Sequence, residues 1–425
     1  MQMTYEFTLA CAESLDEKDE LKYCRDKFYI PYIGDKEAVY FLGNSLGLQP
    51  KKTQDEVLNV MENWANFGVE GFFMGEDPWM KYHQSLSPIL SGIIGAKPEE
   101  IVTMNHLTVN LHLLMISFYK PTATRYKIIC EAKAFPSDQY AFQSQVNMHG
   151  FNVADTIVEV QPKFGTDLIT TEDILLAIEE NKDSVALVLF SGVNYYTGQI
   201  FDIAAITKAA HKANAYAGFD LAHAAGNIAL QLHKWEVDFA CWCNYKYLNS
   251  GPGAIAGAYI HEKHFDNKDL KRLEGWWGND KKNRFKMEPT FTPSPSAEAW
   301  QMSTPPMMLI AAHKTSLEIF KEVGFEKLLS KSKALSAYMF YVLGEINTPK
   351  KFDILTPTNA EERGCQISIS VHENAKVVFD ELIKKGIFAD WREPNVIRVA
   401  AVPLYNTFED IFYFANVLQG LFQEK

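Results

Sequence analysis

Cysteine is scarce: six residues in a chain of 425, at positions 11, 24, 130, 241, 243 and 365, with no Cys-x-x-Cys pair. That pattern excludes a zinc ribbon and a dithiol redox motif and predicts buried, inert thiols. Cys241 and Cys243 stand two apart and so share one face of a strand. Long apolar runs are missing too. The longest resemble Val185–Phe190, far short of the ~20 residues of a membrane-spanning helix, so no membrane partner is expected. Residues 1–20 hold neither a cationic nor an apolar stretch, so no signal peptide is expected there. Positive charge is also in deficit. Lys plus Arg number 41 against 53 Asp plus Glu, a net charge of −12, and basic clusters do not exceed pairs such as Lys281-Lys282. A phosphate backbone would be repelled, so no nucleic-acid partner is expected.

Several motifs fall away as well. No Walker loop and no Gly-x-Ser-x-Gly elbow occurs. His261-Glu-Lys-His264 has i, i+3 spacing rather than the i, i+4 of zincins, so metal chemistry is not expected. Gly251-Pro-Gly253-Ala-Ile-Ala256 imitates a dinucleotide fingerprint but lacks the following acidic residue, and predicts a turn instead. What remains is a cytoplasmic enzyme of ordinary globular composition, 47% hydrophobic and 22% charged, long enough for two or three domains.

What is present alternates. Between about residues 100 and 260, short apolar runs (Lys127–Cys130, Val185–Phe190, Ala215–Asp220, Phe239–Asn244, Ala254–His261) are separated by helical patterns such as Ile203–Ala213. This predicts an α/β fold, a mostly parallel central sheet flanked by helices on both faces. Such sheets bind ligands at the carboxyl ends of their strands. Upstream, Ser14 and Glu17 are spaced as a capping box and predict a helix over 14–28. Val57, Val60, Met61, Trp64 and Phe67 recur at helical spacing. Residues 275–306 lose all period, and their Trp, Pro and Gly content predicts a long, ordered functional loop. Beyond 310, helices over Met308–Leu329 and Ser332–Glu345 precede a strand, Gln366–Val371, a helix, Ala375–Lys385, and a strand, Val396–Ala401. A last amphipathic helix carries Ile411, Ala415, Leu418 and Phe422. The expected division is an N-terminal segment (1–60), a large domain (61–310) and a smaller α+β C-terminal domain (311–425).

Three polar residues end three of the strand candidates. Ser191 follows Val185–Phe190, Asp220 ends Ala215–Phe219, and Lys246 lies just past Phe239–Asn244. A lysine among Trp242, Tyr245 and Tyr247 is open to desolvation, which disfavours the charged amine and supplies a nucleophile for a carbonyl. The same lysine also fits a strand-end cation that snorkels to water. Asp220 precedes Lys246 by room for one helix-plus-strand crossover. A carboxylate there could hold the proton on a pyridine cofactor's ring nitrogen, which makes the ring an electron sink. Asp220 equally fits a helix N-cap, and His223 a satisfied core histidine.

Longer motifs carry more. Tyr40-Phe-Leu-Gly-Asn-Ser-Leu-Gly-Leu-Gln-Pro50, Thr108-Val-Asn-Leu-His112, Phe135-Pro-Ser-Asp138 and Phe219-Asp-Leu-Ala-His223 resemble the kynureninase family. So do Asp238-Phe-Ala-Cys-Trp-Cys-Asn-Tyr-Lys246, Gly275-Trp-Trp-Gly278, Ser303-Thr-Pro-Pro306 and Ile397-Arg-Val-Ala400, in order and over nearly the whole chain. The resemblance implies a fold-type I enzyme using pyridoxal 5'-phosphate, a homodimer with its active site at the subunit interface. It implies hydrolysis of the Cβ–Cγ bond of L-kynurenine, or of 3-hydroxy-L-kynurenine, to anthranilate or 3-hydroxyanthranilate and L-alanine. The setting would be tryptophan catabolism or pyridine-nucleotide synthesis.

The resemblance also implies residue roles. Lys246 matches the Schiff-base position, and Asp220 the pyridinium partner with His223 beside it. Phe135 matches the ring that stacks on the cofactor, in the same binding run as Pro136, Ser137 and Asp138. Leu107, Thr108, Ser191 and Tyr245 match residues that hold ring or phosphate. Read from the chemistry of the groups, Tyr245 is also the candidate for proton transfer, with phosphate binding alone as its alternative role. Trp276 and Thr304 match positions that reach the cofactor of the other subunit. Arg398 matches the arginine that grips the substrate α-carboxylate, a task suited to a planar fork. Position 304 is Thr where some members carry Asn, and 69 is Val where vertebrate-like members carry His. Val69 cannot donate a hydrogen bond, which points to kynurenine over its hydroxylated form. Two other readings compete: a cysteine desulfurase or aminotransferase of the same superfamily, with Cys365 as the late-chain thiol, and a non-catalytic scaffold. A scaffold has no use for Lys246, Asp220 and Arg398 together.

Overall fold

Seven short strands form the centre of the computed structural model, which describes residues 5–423; residues 1–4 and 424–425 of the expected terminal segments lie outside it. They are β1 (Ile101–Thr103), β2 (Lys127–Glu131), β3 (Ile157–Val160), β4 (Val185–Ser191), β5 (Tyr216–Asp220), β6 (Phe239–Cys243) and β7 (Ala256–Ile260). Their order across the sheet is β1-β7-β6-β5-β4-β2-β3. The run from β3 to β6 is parallel throughout, and β7 is antiparallel to both β6 and β1. The mostly parallel sheet is therefore present, with one reversed strand near an edge.

Helices cover both faces, and for that reason the strands read as continuous apolar runs rather than alternations. Every residue of β6 is buried, as is β4 up to Phe190. The two-residue period still sorts the side chains. Phe190, Phe219 and Trp242 enter one core, while Leu189, Phe239 and Cys241 enter the core on the opposite face. Parallel register sets Ser191 opposite Asp220, and Asp220 opposite Cys241. The polar strand ends thus line up along one edge.

A second sheet is antiparallel: β8 (Phe352–Ile354), β9 (Gln366–Val371), β10 (Asp390–Arg392) and β11 (Val396–Ala400), in the order β8-β9-β11-β10. Its core joins Ile367, Ile369, Ile397 and Val399 to Ile411, Phe414 and Leu418 of the last helix, Phe408–Gln423. Val39 and Phe41, from the N-terminal segment, belong to this core too, and Val39–Tyr40 pairs with Ile387–Phe388. Helix Met307–Val323 instead buries Ile310, Leu317 and Phe320 in the core of the large sheet. Helix Phe325–Ile346 crosses from that core, at Leu328, into the smaller one, at Leu335.

Two expected helices change. The one expected over 14–28 runs over Leu9–Glu17, because the Thr8 hydroxyl accepts the Cys11 N–H at 3.2 Å and starts the helix earlier; a 3₁₀ turn, Lys22–Lys27, follows. Ser14 and Glu17 consequently sit inside the helix. The helix expected over Met308–Leu329 breaks at Gly324, whose φ of 86° L side chains rarely adopt. The 275–306 stretch is ordered as expected, in short 3₁₀ turns with Trp277 and Trp300 buried. Among the described residues, no helix is long and apolar enough to cross a membrane.

Candidate active site

The line of strand ends opens into a cleft. Its walls include Leu107, Thr108, Phe135, Ser137, Asp138 and Ser191, together with Asp220, His223, Tyr245 and Lys246. Ten of the residues expected from the sequence thus meet in one place.

At the floor, β5 delivers Asp220, which is buried. One oxygen, Oδ1, accepts the Ala222 N–H at 2.7 Å in a local turn; no helix follows, so Asp220 is not the helix N-cap that the sequence also allowed. The carboxyl also hydrogen-bonds Asp138, buried in the first turn of helix Pro136–Met148. Burial raises both groups, and the charge of Asp220 pushes Asp138 well above the usual carboxylate range. Asp138 therefore keeps the proton and donates to Asp220, because like charges so close cannot both ionise. A third carboxyl, Glu131, ends β2; both of its oxygens lie 3.1 Å from the Ser191 N–H. Burial, opposed by the Ser191 N–H bonds and reinforced by Asp220, pushes Glu131 up to about 7.

Lys246 follows β6 in a tight turn, and its Nζ lies 2.9 Å from Nε2 of His223. Burial, with added repulsion from Lys246, Arg398 and Arg392, pushes His223 well below the usual histidine range. The imidazole is neutral, Nε2 accepts from the lysine, and Nδ1 carries the ring proton, buried without a partner. Nζ also stands 6.0 Å from the centroid of the Phe135 ring. The Tyr40–Pro50 motif supports this turn from outside. Gly47 N–H donates to Tyr245 O at 2.8 Å, and a Cβ on Gly47 would meet Lys246 O at 2.4 Å. Burial and the nearby Cys243 thiol push the Tyr245 phenol up, so its hydroxyl stays protonated.

Groups able to hold an anion sit alongside. Leu107 and Thr108 open helix Leu107–Phe118, whose N-terminus has no side-chain cap, leaving its first N–H groups free to meet an anion. The Ser191 hydroxyl is buried with no hydrogen-bond partner. Phe135 meets Tyr195 edge to face, with centroids 5.2 Å apart, and Tyr195 O accepts from Arg398 Nη1 at 2.5 Å. Arg398, buried on β11, also bonds Asp390, and its Nε is unpartnered. Asp390 in turn accepts from Ser45 Oγ at 2.7 Å.

Relatives carry the same architecture. Residues 328–418 match the family model of the kynureninase C-terminal domain. The chain is 54% identical to the kynureninase of Flavobacterium psychrophilum, over 98% of this chain and 99% of that one. It is 46% identical to the kynureninase of Homo sapiens, over 96% and 91%. This chain belongs to the kynureninase family. Solved structures of lower identity share the fold. A cysteine desulfurase from Thermococcus onnurineus superposes with a TM-score of 0.75 at 18% identity, covering 91% of this chain and 95% of that one. A C-DES variant with glycine covalently linked to its PLP cofactor gives 0.77 at 16%, covering 93% and 98%.

Within one chain of this family member, four of the expected site residues stay outside the cleft lining: Pro136, Trp276, Thr304 and Arg398. Pro136 starts its helix, and Arg398 meets the wall through Tyr195. Trp276 is 44% exposed and its Nε1 donates to Arg284 O at 3.0 Å; Thr304 is exposed, as is Val69. Glu131 and Tyr195 line the cleft and were not expected. The strand signal at Lys127–Cys130 stopped one residue short of Glu131, and Tyr195 lies in a loop without period. Cys365 is no desulfurase thiol. Burial pushes it up to about 12, and its N–H is fixed to Asn227 Oδ1 at 3.0 Å.

Proposed function

We propose that this chain hydrolyses the Cβ–Cγ bond of L-kynurenine, giving anthranilate and L-alanine, with pyridoxal 5'-phosphate held in the cleft. The observation that carries this reading is Lys246 Nζ against a neutral His223, above a buried Asp220 carboxylate that takes a hydrogen bond from protonated Asp138. The donor set fits that cofactor: a buried carboxylate for a ring N–H, an exposed aromatic face, a lysine amine, an orphaned buried hydroxyl and an uncapped helix N-terminus. When bound, the cofactor supplies an electron sink for charge that develops on the substrate carbons.

The chain's own groups do the rest. Asp220 holds a proton at the pyridine nitrogen, and Asp138 keeps Asp220 oriented. Phe135 lies against the ring, with Pro136 and Ser137 shaping that wall and His223 beside it. Leu107, Thr108, Ser191 and Tyr245 hold the phosphate. Once the lysine amine is free it takes the proton from the substrate α-carbon, and His223, being neutral, can accept a hydrogen bond from it in either state. Tyr245 O–H, kept protonated by burial, delivers a proton to the leaving carbon chain or to the γ-carbonyl oxygen as water adds. Arg398 binds the substrate α-carboxylate with its planar fork, held in orientation by Asp390 and Tyr195 O.

The working form is a homodimer in which Trp276 and Thr304 reach the cofactor of the second copy. Their exposure supports this, as does a half-exposed aromatic patch in which the Phe285 ring meets those of both Trp276 and Phe73. The division into a segment (1–60), a cofactor domain (61–310) and a smaller domain (311–425) assigns Arg398 to the last. We place the protein in the cytoplasm, in tryptophan catabolism or pyridine-nucleotide synthesis, with neither nucleic acid nor membrane as partner; the charge of −12 supports the first exclusion. Kynurenine is the favoured substrate, since Val69 offers no hydrogen bond to a ring hydroxyl.

The test is fluorescence of anthranilate from the cofactor-loaded protein after L-kynurenine is added, with alanine measured in equal amount. No anthranilate at any enzyme concentration refutes the reading. A higher kcat/KM for 3-hydroxykynurenine refutes the preference alone.

A further inference from the structure

Metal-ligating side chains converge a second time, away from the cleft. Glu100, His233 and His261 each place a ligand atom within 4.8 Å of the others, and none of them lines the cleft. The sheet brings them together. Glu100 immediately precedes β1, and His261 immediately follows β7, the strand that pairs antiparallel with β1 through Tyr259 and Ile101. His233 is tied in by its N–H, which donates to Gly95 O at 3.0 Å.

Glu100 is wholly buried. Its Oε2 accepts the Lys97 N–H at 2.9 Å, and its Oε1 accepts the Glu262 N–H at 2.9 Å. The same Oε1 lies 3.0 Å from Nδ1 of His233 and 3.7 Å from Nδ1 of His261. The two rings stack, with centroids 4.9 Å apart and planes 18° from parallel. Nδ1 of His261 accepts the Lys263 N–H at 3.1 Å, so it carries a lone pair and no proton. A carboxylate oxygen and an unprotonated imidazole nitrogen therefore stand 3.7 Å apart with no hydrogen between them. A cation relieves that contact, and the nearby ammonium groups are engaged elsewhere. Lys263 Nζ goes to Asp238 at 2.9 Å, and Lys97 Nζ to Glu262 at 2.6 Å.

We propose that Glu100, His233 and His261 form a binding site for a divalent transition-metal ion of the zinc type. Two imidazole nitrogens and one carboxylate oxygen suit such ions, whereas calcium and magnesium take oxygen sets. Binding replaces the proton on His233 Nδ1, which leaves to solvent; the His261 Nδ1 lone pair passes from the Lys263 N–H to the ion, and water completes the coordination. His233 is one-third exposed and provides the way in. The ion would clamp the edge strand β1 to the end of β7 and to the turn at His233, so it stabilises the fold without entering the chemistry of the cleft.

The experiment is equilibrium dialysis of the chelator-stripped holoenzyme against micromolar Zn²⁺, beside His233→Ala and Glu100→Gln, with melting temperatures and an anomalous diffraction map. Wild type should bind one equivalent more than either variant. Its Tm should rise with Zn²⁺ while theirs do not, and the anomalous peak should fall among the three side chains. Equal stoichiometry in wild type and His233→Ala, or a peak elsewhere, overturns the proposal. If buried Glu100→Gln fails to fold, the partly exposed His233→Ala decides alone.

Discussion

Nζ of Lys246 lies 2.9 Å from Nε2 of His223, and the histidine is neutral because burial and three neighbouring cations oppose its charging. The lysine therefore has an acceptor beside it that adds no charge. Replacing Lys246 by Ala should cost roughly 10³-fold or more in kcat, as loss of a residue that acts as nucleophile and base does. Borohydride treatment should then fail to fix the cofactor to the chain, read by mass spectrometry; a trapped adduct on the variant would show another lysine at work.

Asp138 is assigned as the protonated partner of Asp220. Asp138→Asn keeps a donor and should lose less than about tenfold in kcat/KM, whereas Asp138→Ala strips Asp220 of that hydrogen bond and should lose ~10²-fold. Steady-state kinetics on both variants decide it. Equal losses would mean that a second negative charge, not a donor, is needed at this position.

Tyr245→Phe separates two roles. Proton transfer by the phenol predicts a fall in kcat of ~10²-fold with cofactor saturating. Near-normal kcat combined with faster loss of cofactor on dialysis would reduce Tyr245 to a phosphate ligand.

Gly47 faces the backbone of the Lys246 turn. A Cβ there would lie 2.4 Å from Lys246 O and 2.8 Å from Asn249 Cα, both backbone atoms that cannot swing aside. Gly47→Ala should destabilise the fold by about 1–3 kcal/mol through overpacking and raise the dissociation constant for the cofactor. Denaturant titration and cofactor titration measure the two effects; an unchanged midpoint would show that the turn yields freely.

Asp238 sets an acid limit. Burial works to raise it, but hydrogen bonds from His211 and His264 outweigh burial, and with Lys263 nearby hold it well below the usual range. A depressed pKa in the folded state contributes stability above the unfolded carboxylate pKa of about 3.9, and that stability is lost as pH falls through the folded value. Asp238→Asn should therefore melt below wild type at pH 6, with the gap closing as pH falls toward 2. A gap that stays constant with pH would assign the loss to packing.

Much of the site could be read from local pattern. Ser191, Asp220 and Lys246 stand at strand ends because a buried parallel strand is a short apolar run, and a run stops where the chain meets polar surroundings. The motif Phe135-Pro-Ser-Asp138 stood out through the family resemblance, but the hydrogen bond from Asp138 to Asp220 did not. It joins a helix start to a strand end far along the chain. Glu131 escaped because one residue decides whether a strand ends apolar or acidic. Asp390 escaped because Arg398 reaches it across two neighbouring antiparallel strands. The early helix start at Thr8 and the break at Gly324 were missed because capping and a left-handed backbone angle depend on single residues, which periodicity averages away.

By itself the sequence determined the elements, the family and the identity of the groups at the strand ends, since these follow from short-range period and from long contiguous motifs. Only the tertiary structure decided which of those groups meet. Strand order set Ser191 beside Asp220, and burial decided that Asp138 keeps its proton while His223 stays neutral. The pairing of β7 with β1 brought His261 to Glu100, residues far apart in the chain. The scarce cysteines illustrate the same division. Their spacing excluded a metal-binding cysteine motif, yet the Glu100–His233–His261 cluster has no sequence spacing to betray it. Desolvation and long-range pairing are properties of the packed chain, and no local pattern contains them.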